Sequence, residues 1–159
     1  MIISGFPAVG KTSCVKEHKG FIDLESSSWW VNGKKCDNWY KEYANVAIDL
    51  SNQGYIVFVS THKEVRDYLS ELVYEDLYVL YPSLDLKEEW IKRLLKRYQD
   101  NPTEKNRRAY EASYNYDDMI ADMMNTKAGT HLVIKDINYD IYNDILEPIL
   151  CCMENKADV

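Results

Sequence analysis

The chain has 159 residues, 46% of them hydrophobic and 28% charged, a length and balance expected of one globular domain able to bury a core without staples. No apolar run approaches the roughly 20 residues that span a bilayer, and no basic stretch followed by a long apolar one opens the chain, so neither a membrane anchor nor a secretory leader is expected. The formal net charge of −7 argues against polymeric nucleic acid as a partner.

In chain order, "MIIS" is a short apolar run ending at a loop glycine and reads as a buried parallel strand. "KTSCVKEH" reads as a helix closed near Gly20, and "FIDLE" as a second strand. "SSSWWVNGKK" is a serine-rich loop with Trp29 and Trp30 in its middle. Residues 37–51 read as a helix that Asp37 can cap, with Tyr40, Tyr43, Ala44, Ala47, Ile48 and Leu50 at helical spacing. "YIVFVS" is the strongest strand, unbroken in β-branched and aromatic residues. "THKEVRDYLSELV" is a helix and "LYVLYP" a strand stopped by Pro82. Residues 85–99 are helical, "DNPT" breaks and restarts the chain, and 103–125 are mostly helical but polar. "HLVIK" is the fifth strand, and "YDIYNDILEPILCCM" a closing helix with a kink or break at Pro148. Strands alternating with helices specify an α/β domain around a parallel sheet, with no repeat or linker dividing residues 1–159.

The four cysteines, Cys14, Cys36, Cys151 and Cys152, are spaced for neither a zinc site nor a disulfide framework. Reduced thiols in a cytoplasmic protein are expected, with Cys14 a small buried apolar residue.

"GFPAVGKT" fits G-x-x-x-x-G-K-[ST] and lies between a strand and a helix, the context of a phosphate-binding loop. Gly5 and Gly10 allow backbone angles and close approach that a Cβ blocks. The backbone N–H groups of Ala8, Val9, Gly10, Lys11, Thr12 and Ser13 then form a nest for phosphate oxygens at a helix N-terminus. Lys11 reaches the β- and γ-phosphates, and the Thr12 hydroxyl reaches Mg²⁺. ATP and Mg²⁺ are therefore the expected cofactors.

Further groups should join this loop. Asp23 and Glu25 alternate at the end of the second strand, so both face one side of the crevice beyond the strand ends. Asp23 is the better second metal ligand, because "YIVFVS" ends in Ser60, Thr61 and His62 rather than in Asp. Ser60 and His62, with Arg66 one helical turn on, are candidates to bind a substrate phosphate or base, as are the aromatic side chains Trp30 and Tyr40 for a planar group. Residues 87–108 hold eight basic and four acidic side chains in an otherwise acidic protein. Within them Arg93 and Arg97 lie one above the other on a flank of the helix, and guanidinium forks match phosphoryl oxygens.

With these motifs the chain resembles the P-loop small-molecule and nucleotide kinases. "IDLESS" and "STHKEV" resemble the small phage-encoded members most closely, and the D-x-E of "DLE" is similar to the D-x-D of shikimate kinases. The resemblance implies a three-layer P-loop fold with a five-stranded parallel sheet in the order 2-3-1-4-5 and a helical lid over residues 87–108. It implies transfer of the γ-phosphoryl of ATP to a small acceptor, a nucleoside or nucleoside monophosphate, by a monomer or homodimer. Lys11, Arg93 and Arg97 would stabilise the transferring group, and Thr12 and Asp23 would hold Mg²⁺. Asp23 or Glu25 takes the proton of a hydroxyl acceptor, whereas for a monophosphate both only position. Two other readings are a regulatory nucleotide-binding protein without transfer and a 5′-end polynucleotide kinase, the latter disfavoured by the net charge.

Overall fold

A computed structural model describes residues 1–157. The chain begins with β1 (Ile2–Gly5), α1 (Lys11–Glu17) and β2 (Phe21–Asp23), then β3 (Trp30–Val31) and β4 (Lys34–Lys35). It continues through α2 (Trp39–Asn52), β5 (Ile56–Val59), α3 (Lys63–Val73) and β6 (Leu77–Pro82). After α4 (Lys87–Asp100), α5 (Glu104–Ala112), α6 (Tyr116–Met124) and β7 (Thr130–Ile134), a π-helical turn, Ile141–Leu146, leads into α7 (Glu147–Ala157).

Five strands form one all-parallel sheet in the order β2-β5-β1-β6-β7. These labels differ from the expected 2-3-1-4-5 because residues 30–35, expected as loop, form a separate antiparallel hairpin that adds two strands to the count. Its turn residues Asn32 and Gly33 have φ of 50° and 76°, the paired left-handed angles of a two-residue turn that matches strand twist. Within the mostly helical polar stretch 103–125, a 3₁₀ turn at Ser113–Asn115 separates α5 from α6. The closing helix is continuous through Pro148 but changes character beside it: the π-helical turn ends at Leu146 and α7 starts at Glu147, so the N–H that proline lacks falls where the two helical forms meet.

The three central strands, β5, β1 and β6, are almost wholly apolar because helices cover both faces of the sheet there. Ile2, Ile3, Val57, Phe58, Val59, Leu77, Val79 and Leu80 are all at most 1% exposed. β1 leads to β2 in one direction along the sheet, and β2 to β5, β5 to β6 and β6 to β7 run in the other. Right-handed crossovers therefore place α1 on one face and α2, α3 and α6 on the opposite one. In keeping with this, α2 packs on α3 and α1 packs on the π-helical turn. The reversal leaves a crevice at the carboxyl ends of β1, β2 and β5. No described helix is long and apolar enough to cross a membrane.

Candidate functional site

The 5–12 loop is built by contacts to its carbonyls. Beyond β1, the Phe6 N–H donates to Leu80 O at 2.8 Å. The Trp90 indole N–H donates to Pro7 O at 2.9 Å, Arg93 to Ala8 O at 3.5 Å, and the Tyr139 hydroxyl to Val9 O at 2.8 Å. Three successive carbonyls are thus held by side chains of α4 and of the segment after β7. Ala8 and Gly10 are left-handed, with φ of 65° and 104°. Among the described residues, the backbone N–H groups of Ala8, Gly10, Lys11, Thr12 and Ser13 make no hydrogen bond. Donors left free around alternating backbone angles make a concavity suited to an anion.

Lys11 folds over this concavity and donates to Gly5 O at 2.5 Å. Burial pushes its amine down to about 8; Lys105 and Arg97 add to the effect, and Asp23 and Glu25 oppose it. A Cβ on residue 5 would stand 3.1 Å from the Lys11 stem. The Thr12 hydroxyl donates to Asp23 Oδ2 at 3.4 Å. Burial raises the Asp23 carboxyl above its ordinary value, with Glu25 adding and Lys11 and Lys105 opposing. Glu25 is ion-paired with Lys105 of α5, which carries the basic segment onto the acids at the end of β2.

Arg93 and Arg97 both line the cleft, but only one has free donors. The Arg93 guanidinium lies over the Trp90 ring and donates to Ala8 O, to Ile137 O at 2.9 Å and to the Tyr139 hydroxyl. It braces the loop. The Arg97 side chain has no hydrogen-bond or ion-pair partner among the described residues.

At the end of β5 the Ser60 N–H donates to the Tyr43 hydroxyl at 2.8 Å, which donates to Leu24 O at 2.6 Å. One buried side chain of α2 thereby spaces the ends of β2 and β5. His62 Nδ1 is 2.9 Å from Ser60 Oγ, and its Nε2 is 3.2 Å from Lys35 Nζ. An ammonium can only donate, so Nε2 accepts and the ring is neutral with its proton on Nδ1. Burial lowers the His62 pKa, and the charges of Lys35 and Arg66 add to this.

The loop, the acids of β2, Ser60, His62, Arg93, Arg97 and Lys105 share one cleft of about 470 Å³, which Lys35 and Tyr43 adjoin through His62 and Ser60 without lining it. Of the expected site residues, Gly5, Ala8, Val9, Gly10, Lys11, Thr12, Ser13, Asp23, Glu25, Ser60, His62, Arg93 and Arg97 line it. Three others do not. Arg66 is 1% exposed and turns away from the cleft, donating to Thr61 O, Asp122 and Thr126; it ties α3 to the end of α6. Tyr40 packs edge-on against Tyr68 in a separate groove between α2 and α3. Trp30 sits on the hairpin, near Lys35 and beneath Arg108. Helical spacing cannot distinguish an inward polar side chain from one aimed at a ligand, which is why Arg66 misleads.

Lys105, which lines the cleft, and Lys35 and Tyr43, which hydrogen-bond to residues that line it, are not singled out by the sequence reading. A signal existed for Lys35, since Asn-Gly between "WV" and "KK" marks a hairpin. None existed for Lys105, whose neighbours Arg107 and Arg108 pair with Glu104 and Glu111 instead.

The described residues contain no cluster of three or more His, Cys, Asp or Glu that could cage an ion. Thr12 and Asp23 nevertheless offer two adjoining oxygens, a donor set that fits Mg²⁺, which takes one or two protein ligands and completes its shell from phosphates and water. No protein-family model matches the chain, and no curated protein matches it.

Proposed function

We propose that the chain is an ATP-dependent phosphotransferase that moves the γ-phosphoryl of ATP to a nucleoside or nucleoside monophosphate. The observation that carries this reading is the convergence, in one cleft, of five free loop N–H groups with Lys11, the Thr12–Asp23 pair and the unpartnered Arg97. Bound ATP with Mg²⁺ supplies the phosphoryl group and part of the counter-charge.

The chain's own residues do the rest. The loop N–H groups and the helix that follows bind phosphate oxygens, and the braced carbonyls of Pro7, Ala8 and Val9 keep those donors oriented before ligand arrives. Lys11 exchanges a carbonyl partner for phosphate and brings its charge into a partly dry site, where it acts strongly. Arg97 offers a bidentate fork to the transferring group. Thr12 and Asp23 would hold the metal. Lys105 and α5 close over the acids of β2 and exclude water.

An acceptor screen tests the reading. With ATP and Mg²⁺, at least one common nucleoside or (deoxy)nucleoside monophosphate should raise ADP release well above the acceptor-free rate. Lys11→Ala should lower that rate roughly 10²–10³-fold while the protein stays folded. Undiminished transfer by folded Lys11→Ala, or ADP release that no acceptor raises, refutes the proposal.

A further inference from the structure

We infer that Lys35 is a specificity-determining residue at the acceptor side of the cleft, where with His62 it selects an acceptor that already carries a phosphomonoester. The inference rests on the phosphotransferase reading and narrows its acceptor to the phosphorylated class.

The first line of argument is where the hairpin puts a cation. The Asn32-Gly33 turn folds the chain back so that Lys35 pairs across from Trp30. Lys35 Nζ then lies 3.6 Å from the Trp39 ring centroid and 3.2 Å from His62 Nε2, with no carboxylate partner among the described residues. Most lysines in such a setting pair with an acid or extend into water. Here one ammonium N–H is spent on an imidazole and two remain. The imidazole's other edge meets Ser60 Oγ, and His62 and Ser60 both line the cleft. The chain Lys35–His62–Ser60 thus presents positive charge and donors at this end of the site; the Glu64 carboxylate is close enough to act on Lys35 and His62 but forms no ion pair with Lys35.

The second line is the state of the acids. A hydroxyl acceptor must lose a proton, yet Asp23 Oδ2 accepts from Thr12 and Glu25 is held by Lys105. A phosphomonoester oxygen is already largely anionic at neutral pH, since its second pKa is about 6. Transfer to it breaks the bond between the γ-phosphorus and its bridging oxygen, whose electron pair leaves with ADP. The new P–O bond forms from an acceptor phosphate oxygen, and no proton need leave the acceptor. Four cations, Lys11, Arg93, Arg97 and Lys105, line the cleft against the two acids, an excess suited to two polyanions meeting.

The experiment compares wild type, Lys35→Met and Lys35→Arg with ATP and three acceptor sets: nucleoside monophosphates, the matching nucleosides, and ribose 5-phosphate. Monophosphates should be turned over and nucleosides should not. Lys35→Met should raise the acceptor KM roughly 10- to 100-fold with the KM for ATP unchanged, and Lys35→Arg should restore most of the loss. Turnover of ribose 5-phosphate would assign the phosphate to a sugar, and turnover of nucleotides alone to a nucleotide; both support the inference. Nucleosides used as efficiently as monophosphates, or an unchanged acceptor KM in Lys35→Met, overturns it. Silence from every acceptor would be failure of the phosphotransferase reading, so calorimetric binding of the same compounds provides a separate readout. Monophosphates binding at least tenfold tighter than nucleosides to wild type, with that margin lost in Lys35→Met, supports the inference. Equal binding of the two classes overturns it.

Discussion

Tyr43→Phe removes one oxygen from the centre of the molecule and tests how the site is held. Tyr43 is fully buried, and its hydroxyl links the Leu24 carbonyl after β2 to the Ser60 N–H after β5. Phenylalanine keeps the ring and its edge-on contacts with Trp29 and Trp39. What is lost is two hydrogen bonds, at 2.6 and 2.8 Å, and what is left is an acceptor and a donor with no replacement from the protein. Each such group costs about 1–3 kcal/mol when it cannot reach water; Leu24 and Ser60 are half-buried, so the lower part of the range applies and the sum is about 2–4 kcal/mol. At this chain length that lowers Tm by about 5–15 °C. Urea unfolding at pH 7 followed by tryptophan fluorescence measures the loss, and steady-state kinetics with the best acceptor measures its local consequence. Because the bridge spaces Asp23 and Glu25 from Ser60 and His62, acceptor KM should rise more than the KM for ATP. A loss below about 1 kcal/mol with unchanged acceptor KM would refute the reasoning.

Two other outcomes follow from the same structure. The Lys11 amine titrates near 8 in the folded protein against about 10.5 ordinarily, so between those values the unfolded chain binds a proton that the folded chain lacks, and stability rises with pH across that window. Lys11→Met removes the buried charge: the variant should be about 1–2 kcal/mol more stable than wild type at pH 7, the gap closing toward pH 10.5, while wild-type kcat/KM for ATP falls above pH about 8; a gap in urea unfolding that stays constant from pH 7 to 10.5 contradicts this. Gly129→Ala places a Cβ 2.8 Å from Glu75 O and 2.9 Å from Tyr74 O, backbone atoms that cannot swing aside, and should cost more than about 2 kcal/mol in thermal or urea unfolding at the entry to β7.

Arg93 and Arg97 illustrate how the basic segment divides its work. One helical turn apart on α4, they look equivalent on a wheel. Arg93 meets two carbonyls and two aromatic rings contributed from residues 8, 90, 137 and 139, so it becomes a brace. Arg97 extends past that cluster into the cleft and keeps its donors. The difference lies in what the 5–12 loop, Trp90 and the segment after β7 bring alongside Arg93.

What the sequence determined by itself is local chemistry. "GFPAVGKT" carries its backbone angles, its charge and its helix start within eight consecutive residues, and the strand runs are legible because burial on both faces leaves the central strands almost wholly apolar. Asp23 and Glu25 could be placed at the cleft because strand alternation has a period of two. What only the tertiary structure decided is which long side chains reach the site. Arg66 points into a buried junction, Lys105 crosses from α5 to Glu25, and Lys35 crosses from the hairpin to His62. Partners in these pairs are separated by 27 to 80 residues. Neither periodicity nor motif constrains such a distance, because it is set by how the sheet order and the crossovers bring remote segments together.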